Sequence, residues 1–459
     1  MGNVDSGEFW FRQAVAFLKI GNFEEALESL SQAIKENPNN PVYWAVKGTV
    51  QSNLGKYSEA LDCYNKSLEL NPDSDEVWYN KGLALNVLRR FSESIECYDR
   101  SIALNPKNAT TWNNKGNSLI DLEKYLEAIE CLNKSIEISY VNPDAWYNKG
   151  LALSKLGKFQ EAIDCYNKSL EQNPKDADAW CNRGNALGLL GNHYEAFRSY
   201  DKATELRPKD PNAWNNKGTE IEKEGIYFKA IQCYDEAMEL NPKDPKPLCN
   251  KASLLLKGDK ENLPEALELV NRALELDPDY SDAIGVKAVI LAKLERSSEA
   301  LEYFDKQIEF HPDDPRVWFN KAVALGDFES YADAVDCYDR AAELSPKDPW
   351  IWSNRGNALN MLGRNLEAVE SHNKSIELDP SNTKFWNNKG MVLIALAEFA
   401  KALECLEKAI RLDPFNSKAW HNASVIHGRL GNQAAAEECF RKSKLQFSIN
   451  NFETSLDSP

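Results

Sequence analysis

Long apolar segments are missing from the sequence. The longest run made only of apolar residues extends from Met391 to Ala397, whereas a helix that crosses a bilayer needs about 20 such residues. The N-terminal stretch carries Asp5 and Glu8 and lacks the apolar core of a secretory signal. We therefore expect no membrane-spanning segment and a cytoplasmic protein.

The sequence is also short of positive charge. It contains 54 Lys and Arg against 71 Asp and Glu, which gives a formal net charge of −17. Nucleic-acid binding needs a concentrated basic face, but here the lysines alternate with acidic residues. Nucleic acid is therefore not expected among the partners.

Signatures of catalysis and of cofactor binding are absent from the sequence. It has no Gly-rich phosphate loop, no HExxH, no GxSxG and no CxxC, and its five histidines are scattered. The sequence predicts that the protein is not an enzyme, with no catalytic residues, no cofactor and no metal site.

What the sequence has instead is a repeat of 34 residues. The stretch 146–176 reads WYNKGLALSKLGKFQEAIDCYNKSLEQNPKD, and variants of it fill the chain. Trp returns at this interval from Trp10 to Trp420, except that Leu248 and Ile284 take two of its places and are 36 residues apart. The spacing defines thirteen repeats, which start near residues 7, 41, 75, 109, 143, 177, 211, 245, 281, 315, 349, 383 and 417.

Each repeat has the apolar pattern of two helices, here called helix A and helix B. In the same stretch, the residues of the two apolar stripes are Trp146, Gly150, Leu153, Phe159, Ala162 and Tyr166. Gly157 marks the turn between the helices, because a residue without a Cβ tolerates the left-handed conformation that ends a helix. Pro174 ends the unit, since it cannot continue helix B. Such a hairpin cannot bury its own faces and needs neighbours.

This pattern resembles the tetratricopeptide repeat (TPR), in which Trp, a small residue, Ala, an aromatic residue and Pro stand at positions 4, 8, 20, 24 and 32. The resemblance covers residues 7 to 450 and implies an all-α solenoid, a right-handed TPR superhelix of about 13 helix-turn-helix repeats. The sequence departs from the family pattern at position 7, which is usually Lys or Arg here, as in Lys81 and Lys115. We expect these cations to form salt bridges with acids of helix B such as Asp62, Glu96 and Glu130.

The repeat boundaries also predict the domain organisation. Residues 1–6, MGNVDS, form a polar leader that matches the loose myristoylation pattern, and residues 451–459 form a flexible acidic tail. Between them, 7–450 is a single TPR solenoid. Repeats 8 and 9 lose Trp and gain two residues, so we expect an irregular joint at 245–290.

Cysteine use follows the repeat rather than any pairing pattern. Eight of the ten cysteines stand at position 23 of their repeats, roughly 10 Å apart at helix-packing distances. That separation is too long for a disulfide. We therefore expect small, partly buried, reduced thiols.

The residue that points to a function is Asn at position 6 of helix A. It stands in ten of the thirteen repeats: Asn80, Asn114, Asn148, Asn182, Asn216, Asn250, Asn320, Asn354, Asn388 and Asn422. Positions 2, 6, 9 and 13 share a helix face that does not pack on helix B. An amide offers one acceptor and two donors, which suits the main chain of an extended peptide.

This arrangement is similar to the asparagine ladder in the TPR region of O-linked N-acetylglucosamine transferase. The ladder would be interrupted at Arg12, Val46 and Val286. The alternative is that each Asn merely bonds to the adjacent helix. Further amides at positions 5, 9 and 12 would share the groove: Asn113, Asn117, Asn185, Asn215, Asn357, Asn360 and Asn387.

Four aromatic residues are candidates for contacts with ligand side chains. Tyr79, Tyr147 and Phe319 stand at position 5, and Trp350 stands at position 2. A packing role is the alternative for each of them. Trp350 is the strongest candidate, because Trp352 already fills the structural position of its repeat.

Together these features predict a non-catalytic protein-interaction scaffold that binds extended peptide segments of partner proteins in its groove. Chaperone-binding members of the family clamp a C-terminal carboxylate with a Lys at position 5, which no repeat here has. Two alternatives stay open. The first is a substrate-delivering accessory subunit of a glycosyltransferase or other enzyme, and the second is a solenoid that associates weakly with itself through its terminal repeats.

Overall fold

The computed structural model describes residues 6–456, and the side chains of residues 6–445. Within this range every regular element is a helix and no strand occurs. The leader with its myristoylation pattern lies outside the described residues except for Ser6, which begins the first helix. The last three residues of the tail, 457–459, lie outside them too.

The chain divides into two compact units, with the boundary between Asn241 and Pro242. In the first unit each repeat is a pair of consecutive helices, helix A followed by helix B. The pairs are α1 Ser6–Lys19 and α2 Phe23–Glu36, α3 Pro41–Asn53 and α4 Tyr57–Leu70, α5 Asp75–Val87 and α6 Phe91–Leu104, α7 Ala109–Asp121 and α8 Tyr125–Ile138, α9 Pro143–Lys155 and α10 Phe159–Gln172, α11 Ala177–Leu189 and α12 His193–Leu206, α13 Pro211–Lys223 and α14 Tyr227–Leu240.

The second unit repeats the same scheme. Its helices are α15 Pro245–Leu255 and α16 Leu263–Leu276, α17 Ser281–Lys293 and α18 Ser297–Phe310, α19 Pro315–Asp327 and α20 Tyr331–Leu344, α21 Pro349–Met361 and α22 Asn365–Leu378, α23 Thr383–Ala395 and α24 Phe399–Leu412, α25 Ser417–Arg429 and α26 Gln433–Leu456. The predicted all-α fold of helix-turn-helix repeats is confirmed.

Two elements of the second unit differ from the rest. The two-residue insertion shortens α15 to 11 residues and places a 3-10 turn, Lys260–Asn262, before α16. At the other end, α26 has 24 residues and continues past residue 450 into the segment expected to be a tail. An irregular joint at 245–290 stays a prediction.

The helix ends follow local sequence signals. Asp176 caps α11, because its carboxylate accepts from the backbone N–H groups of Asp178 and Ala179 at 3.0 and 3.1 Å. Gly157 adopts φ +75°, and the turn bonds Lys158 N–H to the Leu153 carbonyl at 3.0 Å. The left-handed turn predicted at Gly157 is thus confirmed.

Close helix packing explains the small residue at position 8. A Cβ added to Gly150 would lie 2.7 Å from Cε1 of Tyr166, so the tyrosine ring of helix B occupies the space that a side chain would need. Tyr166 and Ala162 are fully buried. They lie in one apolar cluster with Ala186 and Tyr200 of the next repeat, and this contact stacks neighbouring repeats.

The repeating Trp also forms a hydrogen bond with the preceding repeat. Its indole N–H donates to the backbone carbonyl six residues earlier, which belongs to the Pro that closes the preceding repeat or to Tyr140 in its place. The donors are Trp44, Trp78, Trp112, Trp146, Trp180, Trp214, Trp318, Trp352, Trp386 and Trp420, at 2.8–3.2 Å. Each of these Trp side chains therefore bonds helix A to the turn that precedes it.

The cation at position 7 forms the expected kind of bridge, but with a different acid. Lys217 Nζ lies 2.6 Å from Asp201, which is position 25 of helix B in the preceding repeat, whereas Asp62, Glu96 and Glu130 are at position 22. Position 25 is almost one helical turn further along. The pairs are Lys115–Asp99, Lys217–Asp201, Lys321–Asp305 and Arg355–Asp339.

The charged group of the same cation lies over the ring of the repeating Trp. In eight repeats the charged group lies 4.6–6.0 Å from the centre of the indole ring three residues earlier. A cation over an indole face is attracted by the ring electrons. This contact gives a physical reason for Lys or Arg at position 7.

All ten cysteines are free thiols, and the eight at position 23 are buried. Burial raises the pKa of the Cys63 thiol to about 11, because a thiolate is poorly solvated inside the protein. The burial of these cysteines agrees with the expectation from the repeat pattern.

Candidate functional site

The ten asparagines of position 6 all lie on A helices. Nine of them are half-buried and Asn320 is exposed. Three open cavities lie along this helix-A face. They have volumes of 160 Å³ beside Asn80, 530 Å³ between Asn250 and Asn320, and 420 Å³ around Asn354 and Asn388. We call this face, with its cavities, the groove of each unit.

The asparagine amide donates one hydrogen bond to the preceding repeat. Its partner is the side chain at position 5, which is 35 residues earlier in the sequence. The bonds are Asn114 to Tyr79, Asn148 to Asn113, Asn182 to Tyr147, Asn388 to Ser353 and Asn422 to Asn387, at 2.9–3.4 Å. Neighbouring A helices are thereby joined through side chains on the groove face.

The bond forms where position 5 of the preceding repeat has a suitable oxygen. Phe319 offers none, and Asn354 donates instead to the carbonyl of Trp350 in its own helix, at 3.1 Å. Cys181 offers none either, and Asn216 donates to Asn185 at 3.4 Å. Gly285 at position 5 has no side chain to accept a bond, and within the part of the chain that the structure describes the side chain of Asn320 in the next repeat makes no hydrogen bond.

These bonds use only part of each amide. An asparagine side chain has two N–H donors and an oxygen that accepts two bonds. In Asn148, Asn182 and Asn422 one N–H is used, and the oxygen has no hydrogen-bond partner among the described residues. The bond to the adjacent helix therefore exists, and it leaves an oriented carbonyl and a second N–H on the groove face.

The aromatic residues at position 5 pack within their own repeats. The rings of Tyr79 and Tyr147 lie 6.1 Å from Tyr98 and Tyr166 of helix B, and Phe319 lies similarly against helix B. Burial raises the pKa of Tyr147 to about 12. The packing alternative is thus realised in these three half-buried residues, and their contact with a ligand stays a prediction.

Trp350 differs from the other three. Its side chain is 42% exposed, with Phe385 edge-on at 5.0 Å and the Lys384 ammonium 5.4 Å from its ring centre. It lines the 420 Å³ cavity together with Asn354 and Asn388. Of the four aromatic candidates, it presents the largest free ring surface to the groove.

The further amides predicted for the groove have mixed positions. Asn113 and Asn387 are buried and accept the bonds described above, whereas Asn185 and Asn357 are exposed. The sequence reasoning missed that position 5 supplies the partner of the next repeat's Asn. The signal was present, because Tyr, Asn or Ser stands 35 residues before each bonded Asn.

Two further observations bear on other kinds of site. Among residues 6–456, no helix combines the length and the apolar character that crossing a membrane requires. In the same range, no three His, Cys, Asp or Glu side chains come together as a set that could hold a metal ion.

Comparison with known structures shows the same architecture in other proteins. A protein of the APC/C hetero-tetramer Cut9-Hcn1 shares 13% identity with the chain, with 93% of this chain and 96% of the other covered and a TM-score of 0.50. Yeast Tom70 shares 16% identity over 98% and 94% of the two chains, with a TM-score of 0.42. The TPR protein YrrB shares 24% identity over 41% and 96%, with a TM-score of 0.36. At these identities the likeness concerns the fold.

Family models of the tetratricopeptide repeat match most of the chain. One model matches residues 7–40, 76–108, 143–176, 177–210 and 383–416, and a second matches 53–86, 116–157 and 329–363. Three more match 97–130, 259–324 and 417–444. None of the curated proteins compared with the chain matches it. The chain belongs to the tetratricopeptide repeat family.

Proposed function

We propose that the protein is a non-catalytic interaction scaffold of the cytoplasm that holds extended segments of partner proteins along its groove. The asparagines at position 6 contact the main chain of the segment, as in the asparagine ladder named above. Tyr79, Tyr147, Phe319 and Trp350 contact its side chains. The net charge of −17 makes nucleic acid an unfavourable partner.

The observation that supports this proposal most is the half-used amide. The bond from Asn148 to Asn113 holds the side chain in one orientation and leaves its oxygen without a partner among the described residues. A pre-oriented polar group loses little entropy when it binds a ligand. A peptide N–H is the complementary donor, and it is present in every extended segment whatever its sequence.

The test is a pull-down from native lysate. Replacement of Asn114, Asn148, Asn182 and Asn216 together by Ala should remove the proteins that the wild type retains. Because the same substitutions break bonds between repeats, the matched control is Asn86→Ala, which removes the hydrogen bond from Asn86 to Ser118 of the next repeat and keeps every asparagine of position 6. An unchanged set of retained proteins in the asparagine variant would contradict the proposal.

Self-association is a second candidate, favoured by the apolar surface near the end of the second unit. Leu430, Phe440 and Leu445 are 54%, 43% and 59% exposed. A mass that rises with protein concentration in light scattering would support it. The role of an accessory subunit of a glycosyltransferase stays a prediction, which the identity of the retained proteins would decide.

A further inference from the structure

Repeat 9 departs from the others at positions 5 and 27, which face each other, and it also lacks the Asn of position 6. On helix A, Gly285 stands at position 5, and Val286 takes the place of Asn at position 6. On helix B, Gln307 stands at position 27, where the other twelve repeats have only Ala or Ser. Those residues are Ala33, Ser67, Ser101, Ser135, Ser169, Ala203, Ala237, Ala273, Ala341, Ser375, Ala409 and Ser443.

The two departures fit together in space. A Cβ added to Gly285 would overlap Nε2 of Gln307 and lie 2.8 Å from its Cδ. The amide of Gln307 thus occupies the space above the helix-A backbone where any other residue at position 5 would begin its side chain. Gly285 is what allows a helix-B side chain to extend to the groove.

The amide reaches the groove at the point where the row of asparagines is interrupted. Gln307 lines the 530 Å³ cavity that is bordered by Asn250 on one side and Asn320 on the other. Val286 also lines this cavity and contributes no polar side-chain atom there. An amide is therefore present in repeat 9, but it comes from helix B instead of helix A.

Packing alone does not account for this glutamine. Its Oε1 is buried and has no hydrogen-bond partner, which is unfavourable compared with the Ala or Ser that suffices elsewhere. In the wall of the cavity, Arg316 and Asp314 pair with each other at 2.7 Å, and Asp282 adds a carboxylate that can accept from a peptide N–H. A neutral polar group such as a peptide unit is the ligand that fits this wall.

We propose that Gln307 replaces the missing asparagine of repeat 9, and that the cavity between Asn250 and Asn320 binds the main chain of an extended segment. This inference rests on the proposed function and adds a binding residue that the 34-residue pattern conceals. Gly285 is the positioning residue, since it gives the glutamine its path to the groove.

The probe for the test is a peptide selected from a random twelve-residue library on the full-length wild type. Peptides still bound by a variant with Asn250→Ala and Asn320→Ala are discarded, so that the probe occupies this part of the groove. The selected peptide is labelled with fluorescein, and its Kd is measured by fluorescence anisotropy. Thermal unfolding of each variant shows that it is folded.

Gln307→Ala should raise the Kd roughly fivefold, the effect of one lost hydrogen bond. Adding Val286→Asn to this variant should restore the Kd to within about twofold, because the amide returns to position 6. Gly285→Ala alone should weaken binding as Gln307→Ala does, because the new Cβ displaces the amide. The double variant of Gly285→Ala with Gln307→Ala should bind the peptide no more weakly than Gln307→Ala alone.

Three outcomes would overturn the inference. If Gln307→Ala binds the peptide with the wild-type Kd, Gln307 is not part of the site, although the asparagines still are. If the double variant of Gln307→Ala with Val286→Asn still binds the peptide weakly, the loss of affinity in Gln307→Ala comes from altered packing. If no peptide that depends on Asn250 and Asn320 is recovered, the site is not a peptide site, and the pull-down decides the proposed function independently.

Discussion

The side-chain N–H of Asn148 on α9 donates to the amide oxygen of Asn113 on α7 at 3.0 Å, across 35 residues of sequence. One amide thereby holds the next in place, and Asn113 in turn lies beside Asn114, to which it donates at 3.3 Å. The residues proposed to bind a partner are therefore also residues that join one repeat to the next. Stability and binding must be measured separately for each of them.

Asn148→Ala should lower the free energy of unfolding by about 1 kcal/mol, the net contribution of one part-buried hydrogen bond. Asn320→Ala is the matched control, because the side chain of Asn320 makes no hydrogen bond among the described residues and Gly285 offers it no partner. Both variants gain the higher helix propensity of Ala, so Asn320→Ala should be at least as stable as the wild type. Urea unfolding followed by circular dichroism measures both, and an equal loss in the two variants would contradict the assignment.

Glu123→Gly should stabilise the protein by about 1 kcal/mol. Glu123 adopts φ +59° at the turn between α7 and α8, where a side chain is unfavourable in the left-handed conformation. Other turns have Gly at the same position, including Gly157 at φ +75°. Gly157→Ala should therefore destabilise the protein, and opposite shifts of the two thermal midpoints are the expected result.

His372 should make the protein sensitive to acid. The ring is fully buried, and neither ring nitrogen has a hydrogen-bond partner. Burial and, to a smaller extent, the nearby Lys389 lower the pKa of His372 from 6.5 to about 4. Because the folded state disfavours the protonated ring, stability is complete above pH 6.5 and falls as the pH drops towards 4. The loss at pH 5 should be about 2 kcal/mol.

His372→Tyr is the variant that isolates this effect, since most repeats have an aromatic or aliphatic residue at position 24. Between pH 7.5 and pH 5, the free energy of unfolding of the wild type should fall by about 2 kcal/mol more than that of the variant. Urea titrations at the two pH values measure the difference. An identical pH dependence in both proteins would show that His372 is not the group responsible.

Asp201→Asn should destabilise the first unit by about 1 kcal/mol. Lys217, whose side chain is 11% exposed, lies 2.6 Å from Asp201 and 4.6 Å from the centre of the Trp214 ring. Removal of the carboxylate leaves a largely desolvated ammonium with the indole face and Thr204. Lys202→Gln, which breaks an exposed pair with Glu205, should leave the stability close to that of the wild type.

Much of the fold could be predicted because the determinants are local. The 34-residue period, the two apolar stripes and Gly157 each depend on residues within one repeat, and every helix A begins at or next to the repeat start that the period gives. The free, buried state of Cys63 and its seven equivalents followed from the same spacing. The bridge from Lys217 was harder, because the spacing does not tell which turn of the neighbouring helix B faces it.

The residues of the candidate site were chosen from their spacing, and the spacing does not give their contacts. Periodicity places Asn148 on the face away from helix B, and the structure joins it to Asn113 on helix A of the preceding repeat. Periodicity does not show whether the amide is free, because that depends on the side chain at position 5 of a different repeat. For the same reason Tyr147 could not be recognised as the acceptor for Asn182.

The sequence by itself determined the repeat, its two helices and the row of amides along helix A, since these depend on spacings within 34 residues. Only the tertiary structure decided which donors of Asn148 are used, which acid pairs with Lys217, and that Gln307 reaches the groove over Gly285. These are contacts between helices, and their partners depend on how neighbouring side chains share the space between repeats.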